Sequence, residues 1–348
     1  MHDISMKKNT IENPVSARNW VKILAQYREP DTVRSTFEII VTLVPFLALW
    51  TLAWWLLSVS YLLALPVAIA NGFFLVRIFI IQHDCSHGGL FKNRKVCDWV
   101  GRIFGVLTLT PYDVWQRTHL MHHSASGNLD QRGIGDVYTM TVDEYFAKPF
   151  FGRLRYRLVR NPIILFGLGP IYLFGLQNRL PLGLMNSGKK YWLSAMGTNA
   201  MILACLSLIF IFGGIAPILW IFLPTMYVAA ILGVWLFYIQ HQFENTQWDT
   251  QGDWQVHDAA LHGSSHYDLP VVLMWLTGNI GIHHVHHLYS RIPFYRLTEV
   301  LRDHPDLTSK DQTLTIRDSF HSVNLHLWDP KCRKLVTFSN SRSTVLAL

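Results

Sequence analysis

Two long stretches of this chain carry no charge, and they limit what it can fold into. Between Ile39 and Val76, and again between Tyr191 and Phe243, there is no Asp, Glu, Lys or Arg. A bilayer core takes roughly 20 apolar residues per crossing helix, so each stretch has room for two. Only 15% of the 348 residues are charged, against about 25% in an ordinary soluble domain, and half are hydrophobic. Blocked in this way, the composition excludes a soluble enzyme, a disordered chain, a disulfide scaffold and a water-soluble nucleic-acid binder.

The net charge of +7 reports orientation before it reports partners. All 30 Lys and Arg fall in residues 1–34, in 77–190 or from 291 onward. None falls at Ser58–Tyr61 or Phe212–Ile215, where each apolar stretch must reverse. By the positive-inside rule both termini and the central segment are expected on the cytoplasmic side. The basic cluster Arg153, Arg155, Arg157 and Arg160 is read as a solvated interfacial face. The N-terminus resembles neither a signal peptide nor a transit sequence, since its first long apolar run begins near Ile39 and acidic Asp3 and Glu12 precede it. The four cysteines (Cys85, Cys97, Cys205, Cys332) lack C-x-x-C spacing and are expected as free thiols.

The expected fold is therefore an all-α integral membrane protein. Four transmembrane helices, at about 38–58, 62–82, 192–212 and 218–240, form two hairpins under a cytoplasmic, histidine-rich cap. The apolar runs 99–110 and 162–176 are too short or too broken by Gly and Pro to span, and read as interfacial or re-entrant helices. Residues 1–34 form a cytoplasmic N-terminal segment, 35–330 the membrane domain, and 331–348 a Ser- and Lys-rich frayed tail. Arg77, near the cytoplasmic end of the second span, is expected to snorkel.

Seventeen histidines are present, and their placement carries chemistry. His83 and His87 are an i, i+4 pair at the mouth of the second span. His119, His122 and His123 form H-x-x-H-H, and His283, His286 and His287 form a second. On a helix, residues at i, i+3 and i+4 share a face, so each cluster aims imidazoles at a common point. His241 ends the fourth span. An even number of crossings separates the clusters, which puts all nine imidazoles in one layer. Protonated together they would repel, so they must be largely neutral or metal-bound. Neutral imidazole suits zinc, copper, iron and nickel. Nine ligands exceed what one tetrahedral zinc needs, and two six-coordinate metals fit the count better. There is no H-E-x-x-H of a zinc protease.

His2, His304, His321 and His326 read as ordinary hydrogen-bonded surface histidines, and His257, His262 and His266 stay undecided. His284 is undecided with them; adjacent to His283, it points off the shared face, which favours a supporting role over ligation. Asn279 reads as a helix cap ahead of a ligand. Asp84, Asp130, Asp136, Glu244 and Asp268 are candidate acceptors for ligand N–H groups, each equally readable as a solvated loop charge.

H-D-C-S-H at 83–87, H-L-M-H-H at 119–123 and H-H-V-H-H at 283–287 resemble, in order and spacing, the histidine boxes of the membrane fatty-acid desaturases, especially the acyl-lipid omega-6 (delta-12) type. The resemblance runs through Leu107-Thr-Leu-Thr-Pro-Tyr, Ser126-Gly-Asn-Leu-Asp and His287-Leu-Tyr-Ser-Arg-Ile-Pro, covering about 80–325. It implies two iron ions held by His83, His87, His119, His122, His123, His283, His286 and His287. His241, in Tyr238-Ile-Gln-His, resembles the family's extra histidine and is the ninth ligand. Related chains often carry a second histidine two positions on, where this one has Phe243. His304-Pro305 lacks the Gly-Gly of a fused b-type cytochrome, so electrons are expected from a separate, ferredoxin-like carrier.

The resemblance implies a cis double bond placed in a lipid acyl chain with dioxygen as co-substrate, in a bacterial cytoplasmic membrane, with an endoplasmic-reticulum enzyme as the alternative. Hydroxylases and ketolases of lipids, alkanes or carotenoids share the boxes, so those reactions stay open. A non-catalytic metal transporter would need ionisable groups within its spans, and the two apolar stretches hold none.

Overall fold

Each charge-free stretch folds into a pair of long helices. The structure, a computed structural model, describes residues 16–133 and 135–341. His2, the first fifteen residues of the N-terminal segment and positions 342–348 of the tail lie outside the described residues. A short helix, Ala17–Leu24 (α1), leads to Thr32–Leu57 (α2) and Tyr61–His87 (α3). Asp31 starts α2 by accepting from the backbone N–H groups of Val33 and Arg34 at 2.8 and 3.1 Å. Next come Arg94–Leu107 (α4), Tyr112–Ala125 (α5), the strand Met140–Thr141 (β1), Val142–Ala147 (α6), Phe150–Val159 (α7) and Gly169–Gly175 (α8). Lys189–Gly213 (α9) and Leu223–His241 (α10) form the second long pair, and a π-helical turn at Ile218–Phe222 opens the latter.

The remaining elements are short: Val256–His262 (α11), His266–Tyr267 (β2), Val271–Leu276 (α12), His283–Leu288 (α13), Leu297–Asp303 (α14), Thr313–Leu314 (β3), Ile316–Ser322 (α15), Leu327–Asp329 (β4) and Lys334–Val336 (β5). The chain is mostly helical, but not all-α as expected. β4 pairs with β1 in parallel and with β5 antiparallel, and β2 pairs with β3 in parallel. These strands of two or three residues are too short to show a period of two in the sequence.

Among the described residues four helices are long and apolar enough to cross a membrane: Thr32–Leu57, Tyr61–His87, Lys189–Gly213 and Ile218–His241. They match the expected spans at their apolar centres and extend beyond them at the polar ends. α3 runs five residues past Gln82 because the polar side chains from His83 to His87 are buried in protein rather than facing lipid. The run after α7 bends by 57° between Phe150–Val159 and Ile164–Arg179, in keeping with a stretch too broken to span in one piece.

α3 is the axis of the fold. Its apolar window is 56% buried, against 17%, 11% and 22% for the other three. α2 and α10 pack along it, whereas α9 packs mainly on α4 and α5. Gly72 allows the α3–α10 approach: a Cβ there would sit 2.8 Å from Val228 Cγ1. Thr225 Oγ1 donates to Ala68 O at 2.9 Å and ties the same two helices. At the far end the reversals meet, with Tyr61 stacked on Trp220 at 5.3 Å.

Arg77 does not snorkel. Glu38 and Arg77, the residues flanking the first charge-free stretch, form a buried ion pair between α2 and α3. The guanidinium also donates to Thr42 Oγ1 at 3.0 Å and to Trp275 O, and it stacks 4.0 Å from the Trp275 ring. A partnered arginine needs no path to water. Nor is the segment after Pro330 frayed as far as Ser341. Leu335 is buried, Leu335 N donates to Glu244 O at 3.0 Å, and Arg333 forks onto Asp249 at 2.8 and 3.2 Å.

Candidate metal centre

Four helices deliver nine imidazoles to one place. His83 and His87 come from the last turn and a half of α3, and His119, His122 and His123 from α5. His241 is the last residue of α10, and His283, His286 and His287 lie on α13. Each helix stops beside its histidines. Gly88, in the left-handed region at φ +68°, caps α3 directly after His87.

The nine sort into two groups. His83, His87, His119, His123 and His286 form one, and His122, His241, His283 and His287 the other. Within each group one ring nitrogen per residue lies within 4.8 Å of all the rest. The boxes do not map one to a group. α5 sends His119 and His123, four apart, to the first and His122 to the second. α13 splits likewise between His286 and the pair His283 and His287.

The spacing of the nitrogens has a chemical reading. His123 Nε2 stands 3.1 Å from both His119 Nε2 and His286 Nε2. His241 Nε2 stands 3.1 Å from both His122 Nε2 and His283 Nε2. With metal–nitrogen bonds of about 2.1 Å, ligands at right angles stand roughly 3.0 Å apart and tetrahedral ones roughly 3.4 Å. Hydrogen bonding cannot satisfy the sets instead. Both nitrogens of His87 and of His287 are buried with no hydrogen-bond partner among the described residues. Leaving such groups unpaired costs about 1–3 kcal/mol each, which a cation at each centre would relieve. The donor set thus fits two metal ions.

Charge points the same way. Burial first, and then the neighbouring imidazoles, hold His119, His123, His283, His286 and His287 well below the ordinary histidine range. They are neutral near pH 7, with lone pairs free for a metal.

Two of the five candidate acids touch histidines of the two groups. Asp136 Oδ1 lies 2.5 Å from His122 Nδ1, and Asp84 Oδ1 lies 3.0 Å from His83 Nδ1. Each accepts Nδ1–H and so turns Nε2 toward the metal position. Asp84 Oδ2 also accepts from Phe294 N at 2.6 Å, which ties α3 to the loop after α13. The other three acids do different work. Asp130 accepts from Gln251 N at 2.7 Å, Glu244 pairs with Lys334 at 2.9 Å, and Asp268 acts as a charge near His266.

Gly263 O, 3.3 Å from His241 Nδ1, was not among the candidates, because a backbone carbonyl leaves no residue-type signal. Trp115, stacked on His119 at 4.4 Å, and Phe237, 5.2 Å from His122, wall the centre. His284 turns away toward His266, with ring centroids 5.8 Å apart. Asn279 caps a helix as expected: at φ +53° its backbone N–H donates to Met274 O at 2.8 Å and closes the end of α12, while its amide donates to Phe294 O at 3.2 Å. His304 packs against Trp20 and Tyr27, and His326 stacks on Phe338. His262 lies 3.4 Å from the Gln312 amide, and His257 stays half-buried on α11; neither joins a group.

An apolar groove of about 310 Å³ opens beside the centre, between α3 and α10. Phe73 and Val76 line one wall, Leu232, Trp235 and Leu236 another, and Tyr267 and Thr277 close it. Val76 is seven residues before His83 and Leu236 five before His241. At about 1.5 Å per residue the groove lies roughly 8–11 Å to the apolar side of the imidazoles.

Comparison with known proteins gives a consistent result. A sequence profile described as fatty acid desaturase matches residues 60–319. A protein of Bacillus subtilis (strain 168) named fatty acid desaturase is 41% identical over 317 residues, covering 91% of this chain and 89% of that one. Two proteins of Synechocystis sp. are more distant. One named sn-1 acyl-lipid omega-3 desaturase (ferredoxin) is 29% identical over 63% of this chain and 61% of its own length. The other, named sn-1 oleoyl-lipid 12-desaturase, is 28% identical over 73% and 70%.

Proposed function

This chain belongs to the fatty acid desaturase family, and from that premise we propose that it places a cis double bond in the acyl chain of a membrane lipid, with dioxygen as oxidant and a separate ferredoxin-like carrier as electron donor. The observation that carries this reading is the pair of imidazole groups with an apolar groove roughly 8–11 Å to their apolar side. Two Synechocystis relatives are named for acyl-lipid substrates, and one of them for ferredoxin. The delta-12 (omega-6) position is part of the proposal and rests on the box resemblance and on the relative named as a 12-desaturase.

The reaction removes two hydrogens from adjacent methylenes: –CH2–CH2– + O2 + 2e− + 2H+ gives –CH=CH– + 2H2O. No side-chain acid or base can break such bonds. Two iron ions, bound by His83, His87, His119, His123 and His286 on one side and His122, His241, His283 and His287 on the other, would supply the redox chemistry.

The chain's own residues do the rest. Asp136 and Asp84 hold His122 and His83 in the tautomer that presents Nε2. The groove walls accept an apolar tail laterally from the bilayer and fix which carbons reach the imidazoles. Tyr267 contributes only its ring, because its hydroxyl is taken by Ser319 at 3.0 Å. Trp115 and Phe237 shield the centre from water, which limits side reactions. The distribution of Lys and Arg supports a cytoplasmic active site, and the separate ferredoxin-like carrier supports a bacterial cytoplasmic membrane.

The test is mass-spectrometric fatty-acid profiling, with double-bond localisation, of aerobic cells expressing this chain with a ferredoxin. A His286→Ala variant serves as control. A new cis alkene absent from the variant is expected. A hydroxylated or keto lipid in its place would overturn desaturation in favour of a sister reaction.

A further inference from the structure

A second opening, at the end of α3 beyond the apolar groove, reaches His87, and it is basic. This pocket, also about 310 Å³, is lined by His87, Gly88, Phe91, Lys92, Arg94 and Arg291. Val76 in the apolar groove and His87 here are eleven residues apart on α3, or about 16 Å along its axis.

Gly88 lets the Arg94 guanidinium come close beside His87, and Gly89 lets the backbone of Arg291 approach. A Cβ on Gly88 would fall 2.5 Å from an Arg94 guanidinium nitrogen, and one on Gly89 would fall 3.0 Å from Arg291 O. Arg94 is held in place by donating to Ser86 O at 2.7 Å and by pairing with Asp98 at 3.2 Å. Lys92 and Arg291 are exposed, and no hydrogen bond or ion pair holds either side chain among the described residues. Asp98, engaged with Arg94 and with Tyr112, offsets only part of the charge. The pocket therefore presents uncompensated positive charge with a metal-set imidazole as its wall.

We propose that this pocket is the docking point of the electron carrier: acidic side chains of a small redox protein seat against Lys92, Arg94 and Arg291, and electrons pass to the centre through His87. The proposal rests on the reading that electrons come from a separate protein. Charge complementarity selects an acidic partner and speeds its encounter, and contact with His87 gives the carrier a route into the centre from the polar side. A lipid headgroup phosphate shares the chemistry but fits the distances less well. Seated against a ligand, it would bring the glycerol and the first carbons of the tail to the imidazoles, while the groove that fits a tail opens on the other side.

The experiment measures binding rather than turnover. Full-length protein in nanodiscs is titrated with a redox-inactive, gallium-substituted two-iron ferredoxin at several salt concentrations. Wild type should bind, with a Kd that rises steeply with salt. Lys92→Glu with Arg291→Glu should weaken the Kd by about tenfold or more and flatten the salt slope, with metal content and thermal midpoint kept. Lys92→Arg with Arg291→Lys should bind like wild type. Unchanged ferredoxin binding in the charge-reversed protein would overturn the docking site while leaving the carrier reading intact. So would unchanged ferredoxin binding together with a lost preference for anionic over zwitterionic lipid vesicles, which would assign the pocket to a headgroup. Absence of ferredoxin binding by wild type would remove the carrier reading and the docking site together.

Discussion

Asp136 acts through another residue, and its effect on His122 can be isolated. Its carboxylate holds Nδ1 of an imidazole whose Nε2 faces His241 across 3.1 Å. Losing such a partner typically costs 10–100-fold in metal affinity or activity. Asp136→Asn should therefore weaken iron retention at one of the two positions, read as iron per chain after graded chelation. Asp130→Asn, whose side chain accepts from Gln251 N and from no histidine among the described residues, should not. Equal retention in both variants would contradict the role. At this scale the sequence was informative wherever helical geometry relates the residues. The i, i+3, i+4 spacing shows which histidines converge. It does not show that His119 and His123 part from His122, because that division depends on what faces α5 from α3, α10 and α13. Nor could it choose Asp136 over Asp130, since both lie in a loop without periodicity.

The buried Glu38–Arg77 pair locks α2 against α3, and its energetics belong to the helix pair. Removing one partner of a buried ion pair costs about 3–5 kcal/mol, because the other charge is left uncompensated, whereas replacing both by apolar residues is often near neutral. Glu38→Gln should lower the thermal midpoint in detergent sharply. Glu38→Leu combined with Arg77→Met should recover much of the loss. A double variant as unstable as the sum of the single ones would contradict this account. The helices themselves were legible because lipid demands apolar length and excludes charge. What went unread was the set of short strands that hold the C-terminal segment to the cap. Their partners lie far off in sequence: β4 pairs with β1, and Lys334 and Arg333 meet Glu244 and Asp249, 90 and 84 residues earlier.

Across the whole molecule, α3 carries the division of labour. Its middle walls the apolar groove, its end supplies His83 and His87, and the loop after Gly88 turns toward the basic pocket. On the proposed scheme, lipid tail and electrons would reach the centre from opposite sides. Leu232→Trp, which fills the groove from α10, should cut product formation by roughly tenfold or more, or shift the double bond, with iron content unchanged. Full activity at the original position would remove the groove from the substrate path.

The central claim is that nine histidines hold two irons, and metal analysis of the purified protein tests it most directly. The protein should be produced with iron and zinc both supplied, and iron, zinc and protein quantified on the same sample, with His241→Ala beside wild type. The account predicts two irons per wild-type chain and depletion of the position shared by His122, His283 and His287 in the variant. One metal per chain, or zinc in place of iron, would contradict it.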